Sequence, residues 1–380
     1  MQDVIIIGGG VIGLSLACEL AREGVSVAVI DQGPMGQESS WAGAGILPPG
    51  HLPQATSPEA RLRALSHALW PDFSARLKSL TGIDNGFRRC GGLEVRFNGP
   101  GGELDDEVTS WRREGVAVEL ISGSAVRQVE AELHPEITTA YRLPEMGQVR
   151  NPRHLKGLVG CCVKQGIALV PGVQVHRFER RGERVSAIET TDGKISAAQF
   201  VIAGGAWSER LLAEAGCCAA VRPLRGQMVL LALPAAPIRH VVNIGHRYLV
   251  PRDDGRVLAG ATEEVAGFDK RTTAGGVGGL IELAARLVPA LAGATFERAW
   301  SGLRPQSADG LPYLGPVPQF ENLFVATGHF RAGLQLSPAT ALVMTQAMLG
   351  RETSIPLAPY SPGRHSERPQ FPELQISPVD

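Results

Sequence analysis

Gly8, Gly10 and Gly13 stand at the spacing that a pyrophosphate requires. They follow the run Asp3-Val-Ile-Ile-Ile7 and open a stretch of helical composition, Val11 to Glu23. Gly8 permits a tight turn, Gly10 has no side chain to keep phosphates off the backbone, and Gly13 lets the helix lie close on a sheet. The phosphates then meet free N–H groups at a helix start. A second apolar run, Val25 to Ile30, ends at Asp31, about twenty residues past the turn. A carboxylate there accepts hydrogen bonds from an adenosine ribose, and its charge repels a 2′-phosphate. The chemistry is dinucleotide binding, of FAD or NAD and not NADP.

Little else has the spacing of a reactive centre. Cys18, Cys90, the pair Cys161-Cys162 and the pair Cys217-Cys218 lack CxxC spacing and a histidine cluster, so no metal site is expected and the thiols read as reduced. No Ser/His/Asp or paired-carboxylate constellation stands out. A net charge of −1 over 380 residues, with no basic block, leaves no electrostatic footprint for nucleic acid or an acidic membrane surface. No apolar run reaches the roughly eighteen residues of a membrane span. The apolar opening reads as a buried strand and not a leader, since no Lys or Arg precedes it and glycines interrupt it. A soluble, cytoplasmic protein acting on a small molecule is expected.

The elements that must position these residues alternate in kind. The segment Ser39-Ser-Trp-Ala-Gly-Ala-Gly-Ile46 is small and glycine-rich, a backbone able to press on a flat ligand. Pro58 to Leu80 has helical spacing, with Pro71 as an interruption. Gly92 to Phe97 predicts a strand, Leu104 to Glu114 a helix and Val116 to Leu120 a strand. Asn151 caps a helix with Pro152 in its first position, and Gly166 ends it before the strand Ile167 to Val170. A buried run, Gln199 to Ala203, meets Gly204-Gly205. Hairpins follow, with Asp254-Gly255 turning between Tyr248 to Arg252 and Arg256 to Ala261. Thr273 to Leu291 reads as an amphipathic helix. Phe296 to Leu303 is a strand leading into Arg304-Pro305, Asn322 to Thr327 another, Gly328 to Leu334 a loop and Leu336 to Leu349 a helix. The Pro-rich stretch from Ile355 reads as a wrapping tail that frays at its end. Because βα pieces and hairpin pieces alternate along the chain, the domains must interleave.

Four stretches together, taken in order, resemble the D-amino-acid oxidase family of FAD-dependent oxidoreductases, and within it the glycine oxidases of the thiamine pathway. They are the opening fingerprint, the Ser39 to Ile46 loop, Trp300-Ser-Gly-Leu-Arg-Pro-Gln-Ser-Ala-Asp-Gly-Leu-Pro-Tyr-Leu-Gly315 and Gly328-His-Phe-Arg-Ala-Gly-Leu-Gln-Leu-Ser-Pro-Ala-Thr340. The likeness runs from residue 1 to about 350. It implies an α/β fold: a Rossmann-type FAD-binding domain (1–88, 149–218 and 299–365) interleaved with an α+β substrate domain on a largely antiparallel sheet (89–148 and 219–298), then a tail (366–380).

The resemblance implies that Val11, Ile12, Asp31, Gln32, Ser39, Ser40, Ala44, Gly45 and Ile46 line noncovalent FAD, and that Val173 holds its adenine end through the backbone. His329, Phe330, Arg331, Ala332, Gly333, Leu334 and Gln335 would cover the flavin ring, where a helix start favours the anionic reduced form. It also implies that Arg304 grips a substrate carboxylate with its planar fork of donors, and that Tyr248 adds a hydroxyl. Arg331 is a further contact, by guanidinium or by backbone carbonyl. His246, two residues from Tyr248 and on the same strand face, lines the pocket mouth or sits at the surface. The chain departs from the family at Glu263, where methionine is usual; this carboxylate pairs with Arg271, meets a substrate amine or faces water.

The implied reaction is hydride transfer from the Cα of glycine, a small amino acid or a secondary amine to flavin N5, with O2 reduced to H2O2 and no side-chain base demanded. The imine is open to use in thiazole synthesis by a partner enzyme, and a homo-oligomer is also open. Rival readings are a D-amino acid or sarcosine dehydrogenase with another electron acceptor, an NAD-dependent dehydrogenase, and a noncatalytic FAD-binding protein.

Overall fold

The chain opens on β1 (Gln2–Ile7), α1 (Val11–Arg22) and β2 (Val27–Asp31). Val4 to Ile7 are buried in succession, as are Val27 to Ile30, the pattern of parallel strands covered on both faces. The computed structural model describes residues 2–97 and 103–373. After the glycine-rich loop comes α2 (Pro58–Thr81), a 24-residue helix begun by Ser57, whose side chain accepts from the Ala60 N–H at 3.1 Å, and ended by Gly82 at φ +74°. The helix continues through Pro71, against the expected interruption.

The chain then crosses to a second sheet through β3 (Gly92–Arg96), α3 (Glu103–Arg113), β4 (Glu119–Ser122) and β5 (Thr139–Leu143), and returns through α4 (Asn151–Lys164) to β6 (Ala168–Pro171) and β7 (Ala197–Ile202). A second crossing supplies β8 (Val221–Ala232), β9 (Val241–Ile244), β10 (Arg247–Pro251), β11 (Arg256–Gly260), α5 (Ala274–Leu287) and β12 (Thr295–Ser307). The chain comes back through β13 (Tyr313–Pro316), β14 (Leu323–Thr327) and α6 (Gly333–Met348). The first sheet has the order β13-β14-β7-β1-β2-β6, parallel except where β13 meets β14. The second has the order β12-β8-β11-β10-β9-β3-β5-β4, antiparallel except where β9 meets β3. Each of these two larger sheets is assembled from separated stretches of chain.

α1, α2, α4 and α6 cover one face of the parallel sheet, with Leu14, Leu16, Leu62, Leu158 and Val343 among the fully buried contacts. On the antiparallel sheet, Val229, Leu231, Leu249 and Val257 pack against Leu280, Leu283 and Leu287 of α5. Alternation along each strand sends the next residues to the opposite face. Residues opposite one another in register share a face, so Trp300, Met228, Gly260, Tyr248, Asn243, Glu94 and Tyr141 form one row across seven strands. Arg304, four residues from Trp300 on β12, shares that face.

Several boundaries differ from expectation for physical reasons. The strand expected to end at Leu303 continues to Ser307, because β8 pairs with it as far as Val221, opposite Ser307. Helix α4 begins at Asn151 itself, whose side chain donates to the Ser40 carbonyl at 2.8 Å instead of capping. His246 lies in the turn between β9 and β10, not on the strand with Tyr248. The tail packs at least to Tyr360, whose hydroxyl donates to the Pro58 carbonyl at 2.5 Å; the fraying expected at its end concerns residues 374–380, which lie outside the described residues.

Candidate active site

A cavity of about 1790 Å³ runs from the ends of β1 and β2, past the start of α1, to the open face of the antiparallel sheet. That is larger than the roughly 300–1,000 Å³ of a pocket for one drug-sized molecule. Every residue read from the sequence as a cofactor or substrate contact lines it, apart from Gly13, which serves packing. A Cβ on Gly13 would lie 1.9 Å from the Gly8 carbonyl oxygen, and one on Gly8, at φ +123°, 2.3 Å from the Ala203 carbonyl oxygen. Gly10 differs: a Cβ there would meet only the Ser40 hydroxyl, at 3.2 Å, and would otherwise point into the cavity. No side chain caps α1. A cradle of this shape beside an uncapped helix start fits a pyrophosphate.

Asp31 closes this end. Its carboxylate accepts from the Gly9 N–H at 2.7 Å and from the Gly33 N–H at 2.8 Å, so it braces the phosphate turn. Burial raises its pKa, against the pull of those two bonds. A carboxylate oxygen has two acceptor directions, which leaves capacity for a ribose. The Val173 N–H donates to the Asp31 carbonyl at 2.9 Å, joining Val173 to the same brace.

The loop Ser39 to Ile46 is strapped down from three sides. The Ser39 hydroxyl donates to the Leu303 carbonyl, and Ser40 accepts from the Val11 N–H at 2.9 Å. The Trp300 indole donates to the Ala42 carbonyl at 3.0 Å. Arg252 is a buried cation whose guanidinium donates to the Ala44 carbonyl at 2.7 Å, the Gln148 side chain at 2.6 Å and the Val149 carbonyl at 3.2 Å; burial lowers its pKa to about 9. Across the cavity, Phe330 takes φ +49°, an uncommon conformation for a bulky residue and one that clusters at functional sites. His329 beside it is buried, approaches the Thr340 hydroxyl at 3.1 Å, and is kept neutral by burial, which lowers its pKa to about 3. The Gln335 carbonyl accepts from Ser66 at 2.5 Å and Trp70 at 2.8 Å, so α2 fixes the start of α6.

At the other end stand Arg304 and Tyr248. Arg304 donates to the Thr262 carbonyl at 3.0 Å and stands beside the Tyr248 hydroxyl. It lies across Gly226, where a Cβ would come within 2.3 Å of the guanidinium. Tyr248 leans over Gly260 and places its hydroxyl 3.3 Å from Met228 Sδ. Burial raises the Tyr248 pKa, with neighbouring Arg304 pulling the other way, so the phenol stays protonated. Arg331 donates to Glu263 at 2.6 Å and approaches His246 Nδ1 at 3.2 Å. Glu263 therefore pairs with Arg331, while Arg271 pairs with Asp269 at 2.9 Å.

Sequence reasoning missed Arg252, Asn151, Glu94 and Glu107. Glu94 and Glu107 both line the cavity, and neither carries a motif. Alternation puts Glu94 and Arg96 on one face of the strand, opposite Leu93 and Val95, which reads as a solvent face, so the local sequence held no signal for the cavity.

A phosphate cradle continuous with an arginine-bearing chamber defines a dinucleotide-dependent oxidoreductase. The chain belongs to the FAD dependent oxidoreductase (DAO) family, whose profile matches residues 3–347; its cofactor is FAD. It is 36% identical over 365 residues to a glycine oxidase of Pseudomonas putida, covering 95% of this chain and 98% of that one. The crystal structure of glycine oxidase from Geobacillus kaustophilus superposes with a TM-score of 0.90 at 36% identity, covering 96% of this chain and 99% of that one. The bifunctional protein ThiO/ThiG of Synechocystis is 32% identical over the whole chain, which spans 56% of that protein.

Proposed function

We propose that the protein oxidatively deaminates glycine or a similarly small amino acid or secondary amine. Bound FAD supplies the acceptor for a hydride from the substrate Cα, with O2 as the final oxidant and H2O2 as its product. Gly8, Gly10, Val11 and Ile12 would hold the pyrophosphate, and Asp31, Gln32 and Val173 the adenosine. Ala44 to Ile46 and His329 to Gln335 would hold the ring. Arg304 binds the substrate carboxylate through the donors that Thr262 leaves free, and the protonated Tyr248 hydroxyl adds a bond. Together they orient the Cα, and orientation supplies most of the acceleration. The division into interleaved FAD and substrate domains follows the two sheets.

One observation carries this reading: a guanidinium with most of its donors free stands in the cavity beside a half-buried phenol. The relatives named glycine oxidase support the choice of glycine, and the bifunctional relative supports delivery of the imine to a thiazole-synthesis enzyme. The test is an anaerobic titration of the purified yellow protein with glycine, sarcosine and D-alanine. Bleaching of the flavin band by one of them, with recovery and peroxide release on admitting air, is the expected result. Bleaching without rapid recovery in air indicates a dehydrogenase, and absence of bleaching by any amine refutes the reading.

A further inference from the structure

The substrate end of the cavity does not stop at Tyr248. Asn243 and Glu94 continue the register row one and two strands beyond it, a Cα displacement of about 10 Å at the usual strand spacing. Glu94 is 6% exposed and lines the cavity. Asn243 Nδ2 donates to its Oε1 at 2.6 Å, whereas Oε2 has no partner among the described residues. The charged group that acts on it is Glu107 of α3, a like charge lining the same end of the cavity. Tyr141, next in the row, gives its hydroxyl to Asp105 at 2.6 Å and so offers Glu94 nothing.

A largely buried carboxyl whose second oxygen opens only to the cavity, with a second carboxyl nearby, is costly to ionise unless a donor reaches that oxygen. If Glu94 only anchored Asn243, a glutamine would serve, since its amide oxygen accepts the same bond without a charge to desolvate. Burial pushes Glu94 up to about 8 and moves Glu107 in the same direction, although Arg63 and Arg331 pull Glu107 back; a cation placed beside Glu94 would offset the desolvation and hold it ionised. Trp111, also on the cavity wall, gives an aromatic surface for a methylene chain or a cation.

We propose that Glu94, with Glu107, forms a distal subsite for a cationic group, so that an amino acid held by its carboxylate on Arg304 is accepted with a side chain ending in an ammonium or guanidinium. The proposal rests on Arg304 being the carboxylate anchor.

5-Aminopentanoate and pentanoate test it by equilibrium binding. Each has a carboxylate and no α-amine to oxidise, and they differ only in the terminal ammonium. Titrated into the FAD-loaded protein and followed by flavin absorbance, 5-aminopentanoate should bind at least tenfold more tightly than pentanoate. Glu94→Gln should bring the two within about twofold. Equal affinities in the wild type, or a preference that Glu94→Gln retains, would overturn the subsite. Should Glu94→Gln fail to keep FAD, Glu94→Asp serves: the shorter carboxylate should move the preference to 6-aminohexanoate, and an unmoved preference refutes the proposal. Glycine separates the two readings. Bleaching by glycine and binding of pentanoate, without any gain from the ammonium, sinks the subsite alone, whereas failure of both sinks the anchor and the subsite with it.

Discussion

Arg331 and Glu263, 68 residues apart in the chain, meet at 2.6 Å on the cavity wall, with His246 on the other side of the guanidinium at 3.2 Å. The Arg331 side chain is 41% exposed and that of Glu263 16%, so the pair stands between solvent and the chamber. A pair this exposed adds no more than about 1 kcal/mol to stability. Its consequence is for recognition: the Arg331 charge is already matched, whereas Arg304 has no carboxylate partner among the described residues and is free to take one. Glu263→Gln unmatches it. The expected outcome is a rise of about tenfold, equivalent to about 1.4 kcal/mol, in kcat/KM for a dicarboxylic amine such as iminodiacetate relative to glycine. Steady-state peroxide production with both substrates checks this, and an unchanged ratio counts against it.

Gly226 and Arg304 give a second prediction. Gly226 faces Gly302 across the β8–β12 ladder, and a methyl group there would come within 2.3 Å of the Arg304 guanidinium. Gly226→Ala keeps every charge and every backbone bond but moves the fork. The glycine concentration for half-reduction of the flavin should rise about a hundredfold, close to the loss in Arg304→Ala, as expected when a charged, bidentate hydrogen bond worth roughly 2–3 kcal/mol is lost. Retained FAD content in Gly226→Ala would show that the damage is local. Tight glycine binding in that variant would mean that Arg304 is not the anchor.

What could be read from the sequence was what the chain encodes locally. Gly8, Gly10, Gly13 and Asp31 lie within one βαβ unit, so their spacing alone implies their geometry. The substrate end is different, because β12, β10 and β3 come from distant stretches and meet only when the antiparallel sheet closes. Arg304 was legible through the motif around it, but the partner of Glu263 was not, since no local pattern ties residue 263 to 331. Glu94 looks like the solvent-facing member of an alternating strand; the placement of β3 beside β9 turns it into the cavity. Arg252 reads as part of a hairpin turn, and nothing near it in sequence reveals the carbonyls it meets.

Acid should weaken the fold through two histidines. His154 is packed between Trp70 and Phe73 and shares a 3.1 Å contact with the Asn85 amide; burial lowers its pKa to about 3, as it does for His329. The folded values lie below the unfolded value of about 6.5. Both rings are therefore neutral when folded, and their contribution is complete above about pH 6.5 and lost as pH falls toward 3. Each adds a slope of about 1.4 kcal/mol per pH unit in that window. His154→Phe should show a shallower loss of stability between pH 6.5 and 4.5 in urea melts than the wild type. Parallel curves would refute the assignment.

Arg252 sets the last prediction, and two opposed effects must be weighed. A guanidinium is expensive to bury, and burial lowers its pKa to about 9, so its removal by itself would relieve a penalty. Against that, the cation gives hydrogen bonds to the Ala44 carbonyl, the Gln148 side chain and the Val149 carbonyl. Methionine fills the volume but leaves these acceptors dry and unsatisfied. Three such acceptors, at about 1–3 kcal/mol each, outweigh the relief. The loss falls on the cavity-lining Ser39 to Ile46 loop, proposed to hold the flavin and otherwise braced by Asn151 and Trp300. Arg252→Met should therefore release FAD, with the dissociation constant rising at least tenfold and the melting temperature of the FAD-free protein falling as well. Arg252→Lys, which keeps the charge but cannot reach three acceptors at once, should fall between the two. Flavin retained through gel filtration measures the first effect and thermal unfolding of the apoprotein the second. A methionine variant that holds FAD as tightly as the wild type would show that Asn151 and Trp300 alone fix the loop.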